Sequence, residues 1–322
     1  MKSEKISCYL CGIDKETFLF MGRDWSFRLK EQFRVVRCDN CGLIYINPRP
    51  AFESLGKFYP PEYRSFQKRQ INNGLRSRLW GSIERRRIAE IEKFHSLDNQ
   101  DIRLLDIGCG AGSFLHSLKM GKECQGIGIE MGKEVSNFCQ KQLNLDVRVG
   151  TLFDNEFQDK YFDVVTMWHY FEHELDPLTI LKTVKRILKE GGLLVMEVPN
   201  IDSFTARLFK SRWSSLDVPR HIIQYTPETI RHMLEKTGFK LEAIKYVPSD
   251  SLVAGTSILR LLSIPAFRSS SRDFGEIWKF PIRAIVLFLS LITFPLSFLL
   301  SALKTSDIIR VYGRPVKDRE AV

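Results

Sequence analysis

Residues 104–112 read Leu-Leu-Asp-Ile-Gly-Cys-Gly-Ala-Gly, an apolar run that stops on an acid and turns into a glycine loop. Glycines at 108, 110 and 112 give a turn the backbone freedom to lie against a ligand, between a strand over 103–107 and a helix beginning near Ser113. Charge selects the ligand. A dinucleotide loop reads G-x-G-x-x-G and holds a diphosphate on the helix N-terminus, whereas here the third glycine comes one place early and Asp106 stands just before the first. A carboxylate there repels phosphate and favours a cation such as an ammonium group. Downstream, Gly126-Ile-Gly-Ile-Glu130 ends a second strand on another acid. That is the place, about 20 residues on, of a carboxylate that accepts hydrogen bonds from a ribose.

Adenosine carrying a cationic tail answers both acids, which points to S-adenosylmethionine. At these residues the chain resembles a class I S-adenosylmethionine-dependent methyltransferase over about 85–250. The resemblance is carried by the glycine loop, by Gly-Ile-Glu130, by Phe162-Asp-Val-Val-Thr-Met-Trp-His-Tyr-Phe-Glu-His173 and by Leu188-Lys-Glu-Gly-Gly-Leu-Leu-Val-Met-Glu-Val-Pro199. It is similar to the ubiquinone-type O-methyltransferases and to zinc-ribbon methyltransferases of bacterial surface-glycan and lipid pathways. The resemblance implies that Asp106, Gly108, Gly110 and Gly112 face the cofactor's amino acid and that Glu130 and Met131 face its ribose. It likewise assigns Thr151 and Leu152 to the adenine edge, and Met167, Trp168 and His169 to the methionine side. The indole face of Trp168 is suited to a sulfonium cation, or else is plain core.

Methyl transfer asks the protein to hold a nucleophile in line and to take its proton. Histidine suits proton removal at neutral pH. The candidates are His173 in Phe-Glu-His-Glu-Leu-Asp-Pro and His221 in Asp217-Val-Pro-Arg-His221. Each has a structural alternative: His173 orienting the loop after the fourth strand, His221 pinning the segment over the acceptor, with Trp213 in the same cover.

Cys8-Tyr-Leu-Cys11-Gly and Cys38-Asp-Asn-Cys41-Gly are two copies of one knuckle. Two such pairs present four thiolates tetrahedrally to zinc, with the intervening strands forming a small ribbon over 1–48. A four-cysteine site leaves no open position for catalysis, so the zinc is expected to staple a segment too short for its own core. Substrate or partner recognition by the ribbon, and disulfides in place of metal, are the other readings.

The elements that position these residues alternate strand and helix from 101 to 250 as a doubly wound, seven-stranded α/β sheet requires. Third and fourth strands are expected at 146–150 and 162–167, a helix from Asp176 to Lys189 stopping at Gly191-Gly192, and a fifth strand over 193–198. A capped helix from Thr226 to Gly238, a sixth strand over 240–247 and a final strand over 307–313 complete it. Between ribbon and sheet, 49–100 holds a proline-broken linker (Pro48, Pro50, Pro60, Pro61) and a helix over 71–94. Its apolar face is Leu75, Leu79, Ile83, Ile88 and Ile91, and its other face carries Arg76, Arg78, Arg85, Arg86 and Arg87. The arginines read as a solvated face, or as a contact for nucleic acid or anionic lipid.

At 322 residues, 44% hydrophobic and 27% charged, the chain is long enough for a full core, and its net charge of +10 suits phosphate-bearing partners or an anionic membrane face. No apolar core follows Met1, and seven cysteines beside a glycine loop read as cytosolic thiols. In 251–305 lies an uncharged run, Ala284 to Leu303, long enough to cross a bilayer. Yet the strand within 306–322 must return to the same sheet, and Pro295 divides the run into pieces too short to span. A monotopic hairpin or interfacial helix on the cytosolic face is expected; a buried helix pair, its stripe of Ser290, Thr293, Ser297 and Ser301 facing the protein, is the alternative. The sequence thus points to methylation of an oxygen on a glycolipid, nucleotide-linked sugar or isoprenoid-type acceptor. An RNA methyltransferase and a non-catalytic membrane adaptor are the alternatives. RNA is disfavoured because the fourth strand ends Met-Trp-His-Tyr, not in the Asn/Asp-Pro-Pro-aromatic motif that the resemblance associates with exocyclic amines.

Overall fold

The computed structural model describes residues 2–27, 29–59, 75–248, 250–261 and 293–317. A seven-stranded sheet forms the centre, built from β6 (Arg103–Ile107), β7 (Gln125–Glu130), β8 (Asp146–Val149), β9 (Phe162–Trp168), β10 (Leu188–Pro199), β12 (Phe239–Val247) and β13 (Ile308–Pro315). Their order is β12-β13-β10-β9-β6-β7-β8. The five strands β10 to β8 run parallel, and β13 lies antiparallel between β10 and β12. The doubly wound sheet expected from the alternation is therefore present, and the last strand completes it by inserting next to β10. Parallel strands covered by helices on both faces read as continuous apolar runs, and Val164, Val165, Leu194, Val195 and Met196 are accordingly buried.

Helices Ser113–Gly121, Lys133–Leu143, Pro177–Ile187 and Pro227–Lys236 connect the strands. The Pro177–Ile187 helix starts on an Asp176 cap that accepts from the Thr179 amide, and it ends earlier than its apolar spacing suggested. Leu188 already pairs with Phe162 in β9, and Gly191-Gly192 falls in the irregular stretch between Leu188 and Leu193 rather than at a helix end. Thr226 and Thr229 form a reciprocal cap on the Pro227–Lys236 helix.

The N-terminal residues form a second, antiparallel sheet of β2 (Glu16–Arg23), β3 (Gln32–Cys38), β4 (Ile44–Ile46) and β11 (Ile223–Gln224), in the order β11-β4-β3-β2. Its edge strand thus comes from beyond β10. A single apolar core runs under both sheets and includes Leu10, Val36, Leu43 and Tyr45 together with Leu105, Met167 and Met196.

An ionic clamp adds to that core where the loop before β11 meets the N-terminal segments. Arg220, wholly buried, donates to both oxygens of Asp24 at 2.8 and 2.9 Å, to both oxygens of Asp217 at 2.8 and 2.9 Å, and to the Phe58 carbonyl at 3.1 Å. One guanidinium fork therefore joins three chain segments, a geometry lysine cannot reproduce.

The Leu75–Glu92 helix differs from the face its apolar spacing implied. Ile88 and Ile91 are buried, but Ile83 is exposed while Glu84 and Arg87 are buried. Arg87 binds Glu84 at 3.1 Å and Glu197 at 2.5 Å, so it is no part of a solvated basic face; Arg85 and Arg86 are exposed. Pairing a buried carboxylate outweighed the burial of one isoleucine in setting the helix rotation. Pro60, Pro61, the side chains of Leu75, Arg76, Arg78 and Leu79, and residues 284–292 lie outside the described residues.

Replacing Arg220 by Met is expected to take from buried Asp24 and Asp217 the guanidinium they share and to lower stability by about 3–5 kcal/mol, read as a shift in the urea midpoint. An unchanged midpoint would mean that the clamp does not hold the sheets together.

Candidate active site

The carboxyl ends of β6, β7, β9 and β10 converge, and the sites expected there assemble from the backbone upward. After β6 the Gly108 and Cys109 amides donate to the Ile129 carbonyl at 2.9 and 3.0 Å, which folds the loop against β7. Gly108 and Gly112 have φ of 71° and 75°. A Cβ on Gly108 would stand 2.3 Å from the Tyr170 ring, and one on Gly112 would meet Leu145 at 2.7 Å. Glycine at 108 thus admits Tyr170, and at 112 it admits close packing of the next helix. Glu130 accepts from the Gly110 amide at 3.1 Å and from the Gly132 amide at 2.7 Å, binding the two loops together.

Asp106 lies opposite Thr166 across β6 and β9 and accepts from its hydroxyl at 2.7 Å. Its other oxygen is buried without a hydrogen bond. Burial, the largest influence, raises its pKa to about 7, with the Thr166 hydroxyl pulling the other way. An orphaned carboxylate oxygen here fits a cationic ligand group.

Met131 is 60% exposed beside this loop. Thr151 is held by Asp154, whose carboxylate accepts from its amide and its hydroxyl at 2.7 Å each. Leu152 is buried in the main core. The Trp168 ring carries the Arg87 guanidinium at 4.4 Å and that of Arg310 at 5.4 Å, and Phe114 packs at 5.1 Å. The cation over this indole is an arginine of the protein.

His169, at φ 54°, places Nε2 3.3 Å from Glu197 and Nδ1 3.6 Å from Glu172. Burial opposes its charging, but the two carboxylates outweigh that and raise its pKa to about 9. Glu197 also binds Arg87 and Arg310, the latter at 2.7 Å, and these neighbours hold its carboxyl well below the ordinary value against the opposing effect of burial. Glu172, Glu197, Arg310, Tyr170 and Arg220 carry much of this arrangement and were given no site role from sequence. A readable signal existed for two of them: Glu197 and Arg310 interrupt otherwise apolar strand runs, which is rare without a buried partner.

His173 and His221 come together, their rings 4.8 Å apart and edge to face. His173 Nδ1 lies 2.9 Å from the Arg220 carbonyl and 3.0 Å from the Tyr59 hydroxyl, and His221 Nδ1 lies 2.8 Å from the Ser215 carbonyl. A carbonyl only accepts, so each Nδ1 carries a proton. Burial, and then the neighbouring His221, lower the pKa of His173 to about 4.

The four cysteine sulfurs lie within 4.8 Å of one another, with Cys8–Cys41 and Cys11–Cys38 each at 3.4 Å. A tetrahedral zinc at about 2.3 Å from each sulfur sets them about 3.8 Å apart. The four positions therefore fit that ion.

Residues 79–244 match the family described as a methyltransferase domain. A ubiquinone biosynthesis O-methyltransferase of Cereibacter sphaeroides is 30% identical over 149 residues, covering 43% of this chain and 60% of that one. The chain thus spans about 60% of the length of such curated relatives. Among solved structures, phosphoethanolamine N-methyltransferase 2 of Haemonchus contortus shares the fold at a TM-score of 0.53 and 14% identity, covering 85% of this chain and 62% of that one. The [4+2]-cyclase SpnF aligns at 0.54 and 16% identity over 84% and 98%. The last two show fold alone.

Gly108→Ala is expected to strain a positive φ and drive a methyl into the Tyr170 ring, lowering stability by about 1–3 kcal/mol. Denaturant titration reads this. A variant as stable as the parent would mean that Tyr170 does not rest on the loop.

Proposed function

The chain belongs to the methyltransferase domain family and is a class I S-adenosylmethionine-dependent enzyme, and from that premise we propose that it methylates an oxygen of a glycolipid, nucleotide-linked sugar or isoprenoid-type acceptor at the cytosolic membrane face. The observation that carries the cofactor reading is Asp106, a buried acid with one oxygen unsatisfied at the mouth of the glycine loop. It receives the cationic end of the cofactor's amino acid, and the glycine loop lies along that end. Glu130 and Met131 meet the ribose, Thr151 and Leu152 the adenine edge. His169 stands on the methionine side. Trp168 supports that wall from behind, its ring already covered by Arg87.

When bound, the cofactor supplies a methyl group already activated on sulfur. What remains for the chain is orientation of the acceptor and removal of its proton. Glu172, His173 and His221 form the cluster suited to that task, because both imidazoles are held through Nδ1–H to backbone carbonyls beside a buried carboxylate. Oxygen as the methylated atom follows the O-methyltransferase relatives. The ribbon cysteines hold zinc as a staple: β11, which follows His221 directly, is the edge strand of the ribbon sheet, so a folded ribbon fixes that histidine.

Membrane attachment draws support from the helical residues 293–302. Ser297 is buried and the Ser301 hydroxyl donates to the Tyr246 carbonyl, as the serine stripe allowed, while Phe294, Leu296, Phe298, Leu299 and Leu303 are exposed. Phe204 and Leu208 are exposed on the helix whose first amide donates to the Thr305 carbonyl. An apolar face turned outward with its serines turned inward suits a lipid interface. Among the described residues no helix is long and apolar enough to cross a membrane.

The carboxyl of Asp106 is neutral below its pKa of about 7 and charged above it, and only the charged form attracts a cation. Calorimetric affinity for S-adenosylmethionine is therefore expected to strengthen about tenfold between about pH 5.5 and pH 7, and Asp106→Asn to flatten that rise. Equal slopes in parent and variant would remove Asp106 from the cofactor site. For the acceptor, a cell extract given the enzyme and methyl-labelled cofactor is expected to carry label in lipid or soluble sugar; label confined to RNA would overturn the reading.

A further inference from the structure

Where the ribbon meets the loop after β10 there is a cavity of about 130 Å³, lined by none of the residues assigned to methyl transfer. That space is far above the ~10–15 Å³ that one water requires. Its polar lining is Arg23, Trp25, Gln32, Ser211 and Arg212, with no acid among the residues that line it. Two guanidinium groups on one space repel each other unless an anion lies between them. Among the described residues neither is met by a carboxylate, and Nε of Arg212 is buried without a hydrogen bond.

Both arginines stand on a fixed frame. The Arg23 guanidinium lies over the Trp25 ring at 4.1 Å, a stacking that leaves its in-plane N–H donors open. Trp25 Nε1 donates to the Ser211 carbonyl at 3.3 Å, tying the end of β2 to the turn Lys210–Arg212 across 186 positions of chain. Between Arg23 and Trp25, Asp24 is 1% exposed and is gripped by Arg220 at 2.8 and 2.9 Å. Planar forks take phosphate oxygens in pairs, and the Ser211 hydroxyl and Gln32 amide add neutral donors.

The cavity also adjoins the outward apolar face. Its turn continues the helix Phe204–Phe209, on which Phe204 and Leu208 are exposed. Leu208 precedes Ser211 by three residues, so their Cα atoms are at most about 11 Å apart. A headgroup layer about 5–8 Å deep on each side of the hydrocarbon core brings lipid phosphates into that range when the apolar face is inserted.

We propose that this cavity binds the phosphate group of a phosphate ester, with Arg23 and Arg212 taking its oxygens and Ser211 and Gln32 completing the cradle. Two sources present that group: the headgroup of an anionic lipid in the adjoining membrane face, and a soluble nucleoside diphosphate. The lipid source rests on the membrane attachment of the preceding section; the anion site rests on its own residues.

Flotation of full-length protein on phosphatidylcholine vesicles, with and without one-third phosphatidylglycerol, reads the first source, and calorimetry with uridine diphosphate reads the second. The expectation is preferential binding to the anionic vesicles or binding of uridine diphosphate, weakened about twentyfold or more by Arg23→Gln or Arg212→Gln. Lys210→Gln removes an exposed charge from the same turn but outside the cavity. It is expected to cost no more than about fivefold, the worth of one basic residue near an anionic surface. Inorganic phosphate, but not acetate at equal ionic strength, is expected to displace the parent from either probe, and this competition decides the matter where circular dichroism shows a variant unfolded. Vesicle binding that the arginine variants weaken no more than Lys210→Gln does would overturn the site and leave the membrane reading standing. Uridine diphosphate held through the two arginines, with no vesicle bound, would keep the site and remove the membrane reading. No arginine-dependent binding of either probe would overturn the site.

Discussion

Buried carboxylates that receive a cation from a distant part of the chain, Glu197 and Asp24 above all, register the segments of this protein against each other. Glu197, on the central strand β10, draws Arg87 from the helix before the sheet and Arg310 from the last strand. Three distant parts of the chain are thereby registered against each other. The same demand at Asp24 and Asp217 is met by Arg220, and there it binds the N-terminal ribbon to the loop that carries His221. Breaking such a buried pair is far more damaging than its net worth suggests, because the partner left behind has no water to turn to.

The consequence for the site is rigidity around a small number of movable parts. The glycine loop is pinned to β7 through Ile129 and Glu130, and the ribbon sheet shares β11 with the segment over the histidines. Ribbon and catalytic sheet also share one apolar core. A zinc ion held by the four cysteines would act on the segment that carries His221 through the backbone, without supplying any chemistry of its own. Tyr170 is the exception to the pattern, an aromatic ring resting where Gly108 has no side chain.

The fold was legible in the sequence to the extent that backbone chemistry controls it. Glycines at 108, 110 and 112, the acid ending each of the first two strands, the Thr226-Pro227 helix start and the paired cysteine knuckles each correspond to a local conformation few other residues adopt, and each took the expected local form. Rotations and partnerships were not legible. Ile83 and Arg87 exchanged the faces assigned by apolar spacing, since periodicity counts hydrophobic residues and is blind to a carboxylate waiting across 110 residues of chain. The sequence left Trp168 as either a face for a sulfonium or plain core, and gave no sign that Arg87 lies over its ring.

The sequence by itself determined the order of strands and helices, the positions of the tight turns, the cysteine set and the chemical class of the cofactor, because each depends on residues close together in the chain. Only the tertiary structure decided which charges meet. It brought His173 beside His221, set Glu172 within 4.8 Å of both, turned the serines of 293–302 inward and its phenylalanines outward, and joined β11 to the ribbon. His173 and Arg220 meet across 47 positions of the chain and Asp24 and Arg220 across 196, and a charge finds its partner by distance in space, which sequence separation does not measure.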